Sequence, residues 1–172
     1  MGLNCSVGGA RVMFEGRFAS EVAGVLDQAF GGESDWEGTE PRQFGKLEGS
    51  AWAEFQERAT EELGAEQVPN LLALDAHGRG VYLPANVQAV TLPLSAGNLH
   101  CASLPGLRRE LFALADLWEL PLDDCALEEI LRGSADPDSG AVADAPEVLA
   151  FARLALAANE AVRRDCPLWL VG

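Results

Sequence analysis

An imidazole and a thiol are neighbours in the sequence, at His100 and Cys101, and such a pair can supply a nucleophile and its base. The surrounding residues, Leu99–Ser103, are typical of a short strand. Because successive side chains on a strand point to opposite faces, the two neighbours are poorly placed to act on one another. A dyad would need His77 to reach Cys101 from another segment. We therefore predict a small buried thiol at Cys101 and no catalytic cysteine.

A second candidate lies in the stretch SLPGLRREL, where a helix is predicted to begin. A helix N-terminus offers free backbone N–H groups and partial positive charge, which suits an anion. Two arginines in the first turn oppose the helix dipole, so they indicate either a bound anion or a carboxylate from elsewhere in the fold or from a second subunit. The helix start 103–109 thus predicts an anion site formed by Ser103, Gly106, Arg108 and Arg109, or a salt bridge. The abundance of acidic residues favours the salt bridge.

Carboxylates occur in pairs throughout the chain, but their spacing does not predict a catalytic or metal-binding cluster. The run DPDSGAVADAPE at 136–147 has the length of a calcium loop, yet Ala141 stands where the loop requires glycine, so we reject it. The sequence contains neither a Walker motif nor a dinucleotide-binding motif. No metal and no cofactor is predicted.

Charge sets the strongest limit on partners. The 172 residues include 27 Asp and Glu against 12 Lys and Arg, a formal charge of −15, while 48% of the residues are hydrophobic. Such a surface repels phosphate backbones and anionic lipid, so neither nucleic acid nor membrane is predicted as a partner. It favours a basic protein partner, or solubility alone.

The cysteines and the composition indicate a compartment. Four cysteines lie far apart without zinc-ligand spacing, at Cys5, Cys101, Cys125 and Cys166. A domain of this size does not need disulfides, so we expect four reduced thiols in a cytoplasmic protein. A composition rich in Ala, Gly, Leu and Arg, with Lys46 as the single lysine, is typical of a GC-rich bacterial genome. The start MGLNCS matches a myristoylation template, but one acyl chain anchors weakly and the charge opposes it, so lipidation is not expected.

One tryptophan, Trp36, lies in the polar stretch GGESDWEGTEP at 31–41, which has no helical or strand period. Four acidic residues surround it: Glu33, Asp35, Glu37 and Glu40. A tryptophan in such a loop either folds back onto the core, here against the helix at 17–30, or contacts a partner. The first outcome is the more common. The second would make Trp36 a binding hot spot inside a charged rim that steers a basic partner.

Hydrophobic periodicity predicts the order β-α-α-β-β-β-β-α-α-linker-α-β. Strands are predicted at 10–14, 70–75, 80–83, 90–94, 99–103 and 168–171, and helices at 17–30, 50–63, 105–118, 124–133 and 144–164. Acidic loops are predicted at 31–49 and 134–146. The pattern indicates a single α+β domain, in which a mixed or antiparallel sheet of about four to six short strands packs against about five helices.

Several local details accompany these elements. Ser50 is predicted to cap the second helix, with Arg58 paired to Glu54 one turn away. Pro93 cannot donate to a strand ladder, so its strand belongs at a sheet edge. The helix at 145–164 is apolar nearly all round, which indicates either a central position or a homodimer formed through this helix.

The sequence therefore favours a non-catalytic, acidic protein-binding module of the inhibitor, immunity or chaperone type that engages a basic protein partner. The alternative is an enzyme or sensor that binds a small anionic ligand at the helix start 103–109. A homodimer sealed by the last helix is a third, structural interpretation.

Overall fold

A computed structural model describes residues 2–31, 40–75, 78–133 and 145–172 of the chain. Within these ranges six strands form one mixed sheet and seven helices pack around it, five of them with seven residues or more. The predicted α+β class, with its mixed sheet and five principal helices, is confirmed. None of the helices in the described ranges is both long and apolar enough to cross a membrane.

The strands are β1 Gly2–Val7, β2 Arg42–Glu48, β3 Arg79–Leu83, β4 Val90–Leu94, β5 Gly97–Ser103 and β6 Leu168–Val171. The helices are α1 Ala10–Met13, α2 Gly16–Phe30, α3 Gly49–Leu63, α4 Pro69–Leu72, α5 Leu104–Trp118, α6 Asp124–Gly133 and α7 Pro146–Arg163. A 3₁₀ turn covers Ala65–Gln67.

The sheet has the strand order β2-β1-β6-β3-β5-β4, so the last strand of the chain lies near its centre. β6 pairs antiparallel with β1, where Leu170 faces Cys5, and with β3, where Trp169 faces Val81. β3 and β5 are parallel, while the β1–β2 and β4–β5 pairs are antiparallel. The sheet is therefore complete only when the first and last strands have come together.

Side chains of the central strands point alternately to the two faces of the sheet, so they contribute to two separate cores. On one face Tyr82 and Leu168 lie under α3, α5 and α7, in a cluster that contains most of the buried residues. On the other face Val81, Leu99 and Trp169 pack against α1 and α2. Both faces of the central strands are thus covered, which explains why β3 and β6 read as continuous apolar runs rather than as alternating patterns.

Two predicted strands are wrong. Residues 10–14 contain the helical turn α1, and 70–75 contain α4. A short apolar run does not distinguish a strand from a buried helical turn, which is the physical source of both errors. In α1 the Met13 N–H donates to the Gly9 carbonyl, and in α4 the N-terminal Pro69 occupies a position where its missing N–H costs no hydrogen bond.

The hairpin predicted from residues 70–75 and 80–83 is consequently wrong as well. Residues 80–83 do form a strand, β3, but its neighbours are β5 and β6. β3 and β5 run parallel. β4, which lies between them in the sequence, occupies the edge of the sheet beside β5. The parallel pairing could not be read from residues that are adjacent in the chain.

Two strands, β1 and β2, give little signal in the sequence. β2 falls inside the segment 31–49, so the prediction of an acidic loop is wrong for Arg42–Glu48. It is an edge strand with Leu47 as its buried residue, and a bulge interrupts its register with β1 near Gly45, whose φ is +87°. Charged residues and a glycine therefore hide the strand period. Gly2 and Cys5, which belong to the MGLNCS start, lie inside β1, and both are buried.

The remaining elements agree with the prediction. α2, α5, α6, β4, β5 and β6 occupy the expected segments, and β4, which contains Pro93, is an edge strand. Gly31 and Gly64 end α2 and α3 with φ values of +73° and +90°. Ser50 does not cap α3, because the helix already begins at Gly49.

α7 is buried by the chain itself. It packs against α3, α5 and α6 and against β1 and β2, and nine of its residues are buried, eight of them aliphatic or aromatic with small alanines predominating. Its apolar circumference is therefore explained by a central position, and dimerisation through helix 145–164 stays a prediction. Of the predicted loop 134–146, the described residues are Ala145 and Pro146, which begin α7 without a side-chain cap; Asp144 lies outside the described residues.

A buried carboxylate, Glu110, joins α5 to α4. Its Oε1 accepts hydrogen bonds from the backbone N–H (2.9 Å) and the side-chain amide (2.6 Å) of Asn70, and its Oε2 accepts one from the Leu71 N–H (2.7 Å). Burial raises the pKa of Glu110 above its ordinary value, while the bonds from Asn70 and Leu71 and the charge of Arg109 act against that shift. The carboxylate thus supplies partners for the first N–H groups of α4.

We predict that Glu110→Ala lowers the free energy of unfolding by about 3 kcal/mol, because it leaves these buried donors without an acceptor. Urea denaturation followed by circular dichroism measures the change. The control is Asp116→Ala, which removes an exposed carboxylate from the same helix and should change stability by less than about 0.5 kcal/mol. Equal effects of the two variants would contradict the anchoring role of Glu110.

Candidate functional site

An acidic surface covers the outer side of α3. Trp52, Phe55 and Ala59 turn one side of the helix into the core, and helical spacing then places three glutamates on the solvent side. The exposed residues are Glu54, Glu57 and Glu61, which together with Glu147 from the start of α7 we call the α3 acidic face. They line a shallow cavity of about 400 Å³.

The basic side chain that lines this cavity, Arg58, is already neutralised. Its Nε lies 3.0 Å from Glu62 and its Nη1 lies 2.9 Å from Glu147, while its guanidinium sits 4.4 Å from the centre of the Trp118 ring. The bond to Glu62 raises the pKa of Arg58, and the same bond lowers the pKa of Glu62. The predicted pairing of Arg58 with Glu54 is therefore wrong, because two other carboxylates and an aromatic ring hold the guanidinium.

The α3 acidic face keeps an uncompensated negative charge. Among the described residues, no basic side chain forms an ion pair with Glu54, Glu57 or Glu61. The three free carboxylates, the two that hold Arg58 and the guanidinium itself leave a formal charge of −4 on this surface. Elsewhere in the described ranges, Asp124 and the buried Glu160 are paired with arginines, whereas exposed acids such as Asp116 and Glu129 have no ion pair.

Four of the five residues in the predicted partner site, Glu33, Asp35, Trp36 and Glu37, lie outside the described residues. The fifth, Glu40, is exposed, and its backbone carbonyl accepts a hydrogen bond of 2.7 Å from Arg164 at the end of α7. The hot-spot role of Trp36 therefore remains a prediction.

The four residues of the predicted anion site at 103–109 do not form a single site: Ser103 and Gly106 belong to the cap of α5, whereas Arg108 and Arg109 line a groove beside it. The Ser103 hydroxyl accepts a bond from the Gly106 N–H and donates one to the Ala85 carbonyl, each 3.0 Å long. Pro105 has no N–H to offer. Gly106 is buried against the side chain of Asn70, and its N–H is already bonded to the Ser103 hydroxyl. The start of α5 is therefore capped from within, and Ser103 and Gly106 are not available to an anion.

The two arginines of that predicted site are not part of the cap, although Arg109 lines a cavity of about 360 Å³ together with Gly106, Asn70 and Glu110. Arg108 and Arg109 are exposed and line an apolar groove between α5 and α7. In the described part of the chain, no carboxylate lies within ion-pair distance of either guanidinium, so the alternative of a salt bridge is not met there.

Cys101 and His100 lie on opposite faces of β5, as predicted. Cys101 is packed in the core with Val81 and Trp169, and burial raises its pKa to about 12, so it is a thiol at neutral pH. His100 faces the other way, with Nδ1 3.1 Å from the Thr91 hydroxyl. These positions do not form a thiolate–imidazole pair. His77 lies outside the described residues.

One arrangement was not apparent from the sequence. Thr91, His100 and Asp75 bring a hydroxyl, an imidazole and a carboxylate together, but the His100 Nε2 is 3.9 Å from the Asp75 carboxylate, too far for an orienting hydrogen bond. Asp75 is also mostly exposed. The contact between Thr91 and His100 follows from their pairing across β4 and β5, which the predicted turn between these strands could have indicated.

The thiols differ sharply in accessibility. All four cysteines are free; Cys125 is exposed, while the other three are buried, and burial raises the pKa of Cys5, like that of Cys101, to about 12. At pH 8 we therefore predict that a thiol reagent such as DTNB modifies Cys125 rapidly in the folded protein and the other three cysteines only on unfolding. Cys125→Ser should abolish the fast phase. Rapid modification of a second thiol would contradict the burial of the others.

Within the described ranges, no group of three or more His, Cys, Asp and Glu side chains is arranged so that it could hold a metal ion. Searches against protein-family models, curated proteins and solved structures find no match to this chain. The functional interpretation therefore depends on the geometry and the charge of the molecule.

Proposed function

We propose that this chain is a non-catalytic protein-binding module, of the inhibitor, immunity or chaperone type, that engages a basic protein partner. The observation that carries the proposal is the α3 acidic face, whose three exposed glutamates have no basic partner among the described residues. The formal charge of −15 extends the same preference over the whole molecule. We include a cytoplasmic location in the proposal, since the free cysteines fit a reducing compartment.

The geometry suits recognition of cationic side chains. A shallow cavity of about 400 Å³ lies among Glu54, Glu57, Glu61 and the Arg58–Glu147 ion pair, so a lysine or arginine of a partner could approach several free carboxylates at once. Arg58 offsets only one of these negative charges, and Glu62 and Glu147 already hold its guanidinium. Carboxylates of this kind steer a basic partner and raise its association rate more than they raise its final affinity.

The face is also rigid, which favours binding. α3 is fixed to the core by Trp52, whose indole N–H donates to the Leu74 carbonyl, and by Phe55, which packs against Trp118 and Phe151. Glu147 is held by Arg58. A rigid surface loses little conformational freedom when a partner docks. Trp36 would add the apolar contact that slows dissociation.

We predict that neutralising the α3 acidic face reduces capture of the partner far more than neutralising other acids does. The test variant is Glu54→Gln/Glu57→Gln/Glu61→Gln. The control, Asp116→Asn/Glu128→Gln/Glu129→Gln, removes the same charge from exposed acids on α5 and α6. Immobilised wild type and both variants are incubated with native cell extract at low salt and eluted at high salt. A basic protein that wild type and the control retain, and that the test variant loses by about tenfold, supports the proposal.

Because the test and control variants lose the same number of negative charges, comparing them distinguishes binding at the α3 acidic face from general electrostatic attraction. If both variants lose the bound proteins equally, only net charge matters and the α3 acidic face is not a binding site. If the retained proteins are not basic, the proposed partner class is wrong.

The predicted role of Trp36 is tested separately. We predict that Trp36→Ala raises the dissociation rate of the captured partner by about tenfold while the association rate changes little, because an apolar anchor acts after encounter. Surface plasmon resonance measures both rates. An unchanged dissociation rate would remove Trp36 from the binding site and leave the role of α3 intact.

A further inference from the structure

An apolar groove separates α5 from α7 on a part of the surface distinct from the α3 acidic face. Its volume is about 490 Å³. Its apolar walls are Leu111, Phe112, Leu122, Ala155, Ala158 and Val162, and we call it the α5–α7 groove. Pro105, Arg108 and Arg109 line it at the start of α5.

The groove exists because small residues lie where two helices meet. Ala155 and Ala158 of α7 present only methyl groups to α5, so the helices leave a space that larger side chains would have filled. Phe112 and Val162, at the edge of the groove, are exposed to solvent by 67% and 39% respectively. Asn159 donates hydrogen bonds to the Leu122 carbonyl and to Asp124, which fixes that wall. The groove is therefore preformed and apolar.

Two cations sit beside this apolar surface. Arg108 and Arg109 precede Phe112 by four and three residues, so helical spacing places the three residues on one side of α5, and all three line the groove. Both lie in the first turns of α5, where positive charge opposes the helix dipole. In a chain with 27 acidic residues, neither has an ion-pair partner among the described residues.

We propose that the α5–α7 groove binds a small amphipathic monoanion, with an apolar chain against Phe112 and Val162 and a carboxylate held by Arg108 and Arg109. The volume falls within the usual range of small-molecule sites, which are mostly apolar with a few polar groups that fix orientation. Arginine binds carboxylates in a planar, two-bonded geometry. A ligand with one negative charge fits best, because a polyanion would meet the field of a molecule with a formal charge of −15.

The proposal shares no residue with the α3 acidic face, so the two can fail independently. It also differs from an anion site at the tip of α5, since Ser103 and Gly106 complete the helix cap. What the ligand contacts is the side of the helix.

The experiment uses decanoate as the probe, below its micelle concentration, with isothermal titration calorimetry. We expect saturable binding of one decanoate per chain, with a dissociation constant on the order of 0.1 mM. Decanol, which has the same chain without the charge, should bind at least about tenfold more weakly. Arg108→Ala/Arg109→Ala and Phe112→Ala should each weaken decanoate binding by about tenfold or more. Arg17→Ala, which removes an exposed arginine from α2, should leave it within twofold.

Three results overturn the proposal: no saturable binding of decanoate, binding that survives in the double arginine variant, or equal binding of decanol. Sedimentation velocity tests whether a second copy of the chain occupies the groove instead. A wild-type dimer that Phe112→Ala dissociates would assign the groove to another copy of the chain and also overturn the proposal. Circular dichroism checks that each variant is folded, and Arg108→Gln/Arg109→Gln replaces the alanine variant if that one is not.

Discussion

The pairing of β6 with both β1 and β3 is the interaction on which the rest of the structure depends. β6 has four residues, yet it joins the β2–β1 half of the sheet to the β3–β5–β4 half. Its side chains belong to both cores: Leu168 and Leu170 face α7, while Trp169 faces α1 and α2 and donates a hydrogen bond of 2.8 Å to the Gly8 carbonyl. Without β6 each half would expose a long unpaired edge and an apolar face.

This central pairing also positions both candidate surfaces. α7 leads directly into β6, so it is drawn across the sheet and becomes the helix against which α3, α5 and α6 pack. The α3 acidic face is completed by Glu147 at the start of α7, and the α5–α7 groove by the alanines along its length. One buried helix therefore places two surfaces of opposite character, one acidic and one apolar with arginines beside it.

The sequence predicts local features well where a period is long or a turn residue is specific. α2 and α5 carry a regular apolar stripe, and Gly31, Gly64 and Pro93 mark the expected ends and edge. Prediction from the sequence fails where a helix has only one turn, as at α1 and α4, and where a strand has few buried residues, as at β2. The central position of β6 depends on contacts between residues more than 160 positions apart, which no local pattern contains.

Site residues show the same division. Helical spacing alone puts Glu54, Glu57 and Glu61 on one side of α3, so the acidic surface could be foreseen, whereas the partners of Arg58 come from α3 itself, α5 and α7. The arginines of α5 are unusual already in the sequence, because their position conflicts with the helix dipole. Their neighbours could not be predicted, since the groove is created by a second helix that lies far away in the chain.

We propose that unpaired carboxylates on α3 guide a positively charged protein onto this surface. Stopped-flow measurement of the association rate with the captured partner, across ionic strengths from about 0.02 to 0.5 M, tests it most directly. We predict a steep fall of the rate with salt for the wild type, and a clearly shallower fall for the protein that lacks the three α3 glutamates. A rate that does not depend on salt, or a slope that is the same in both proteins, would contradict it.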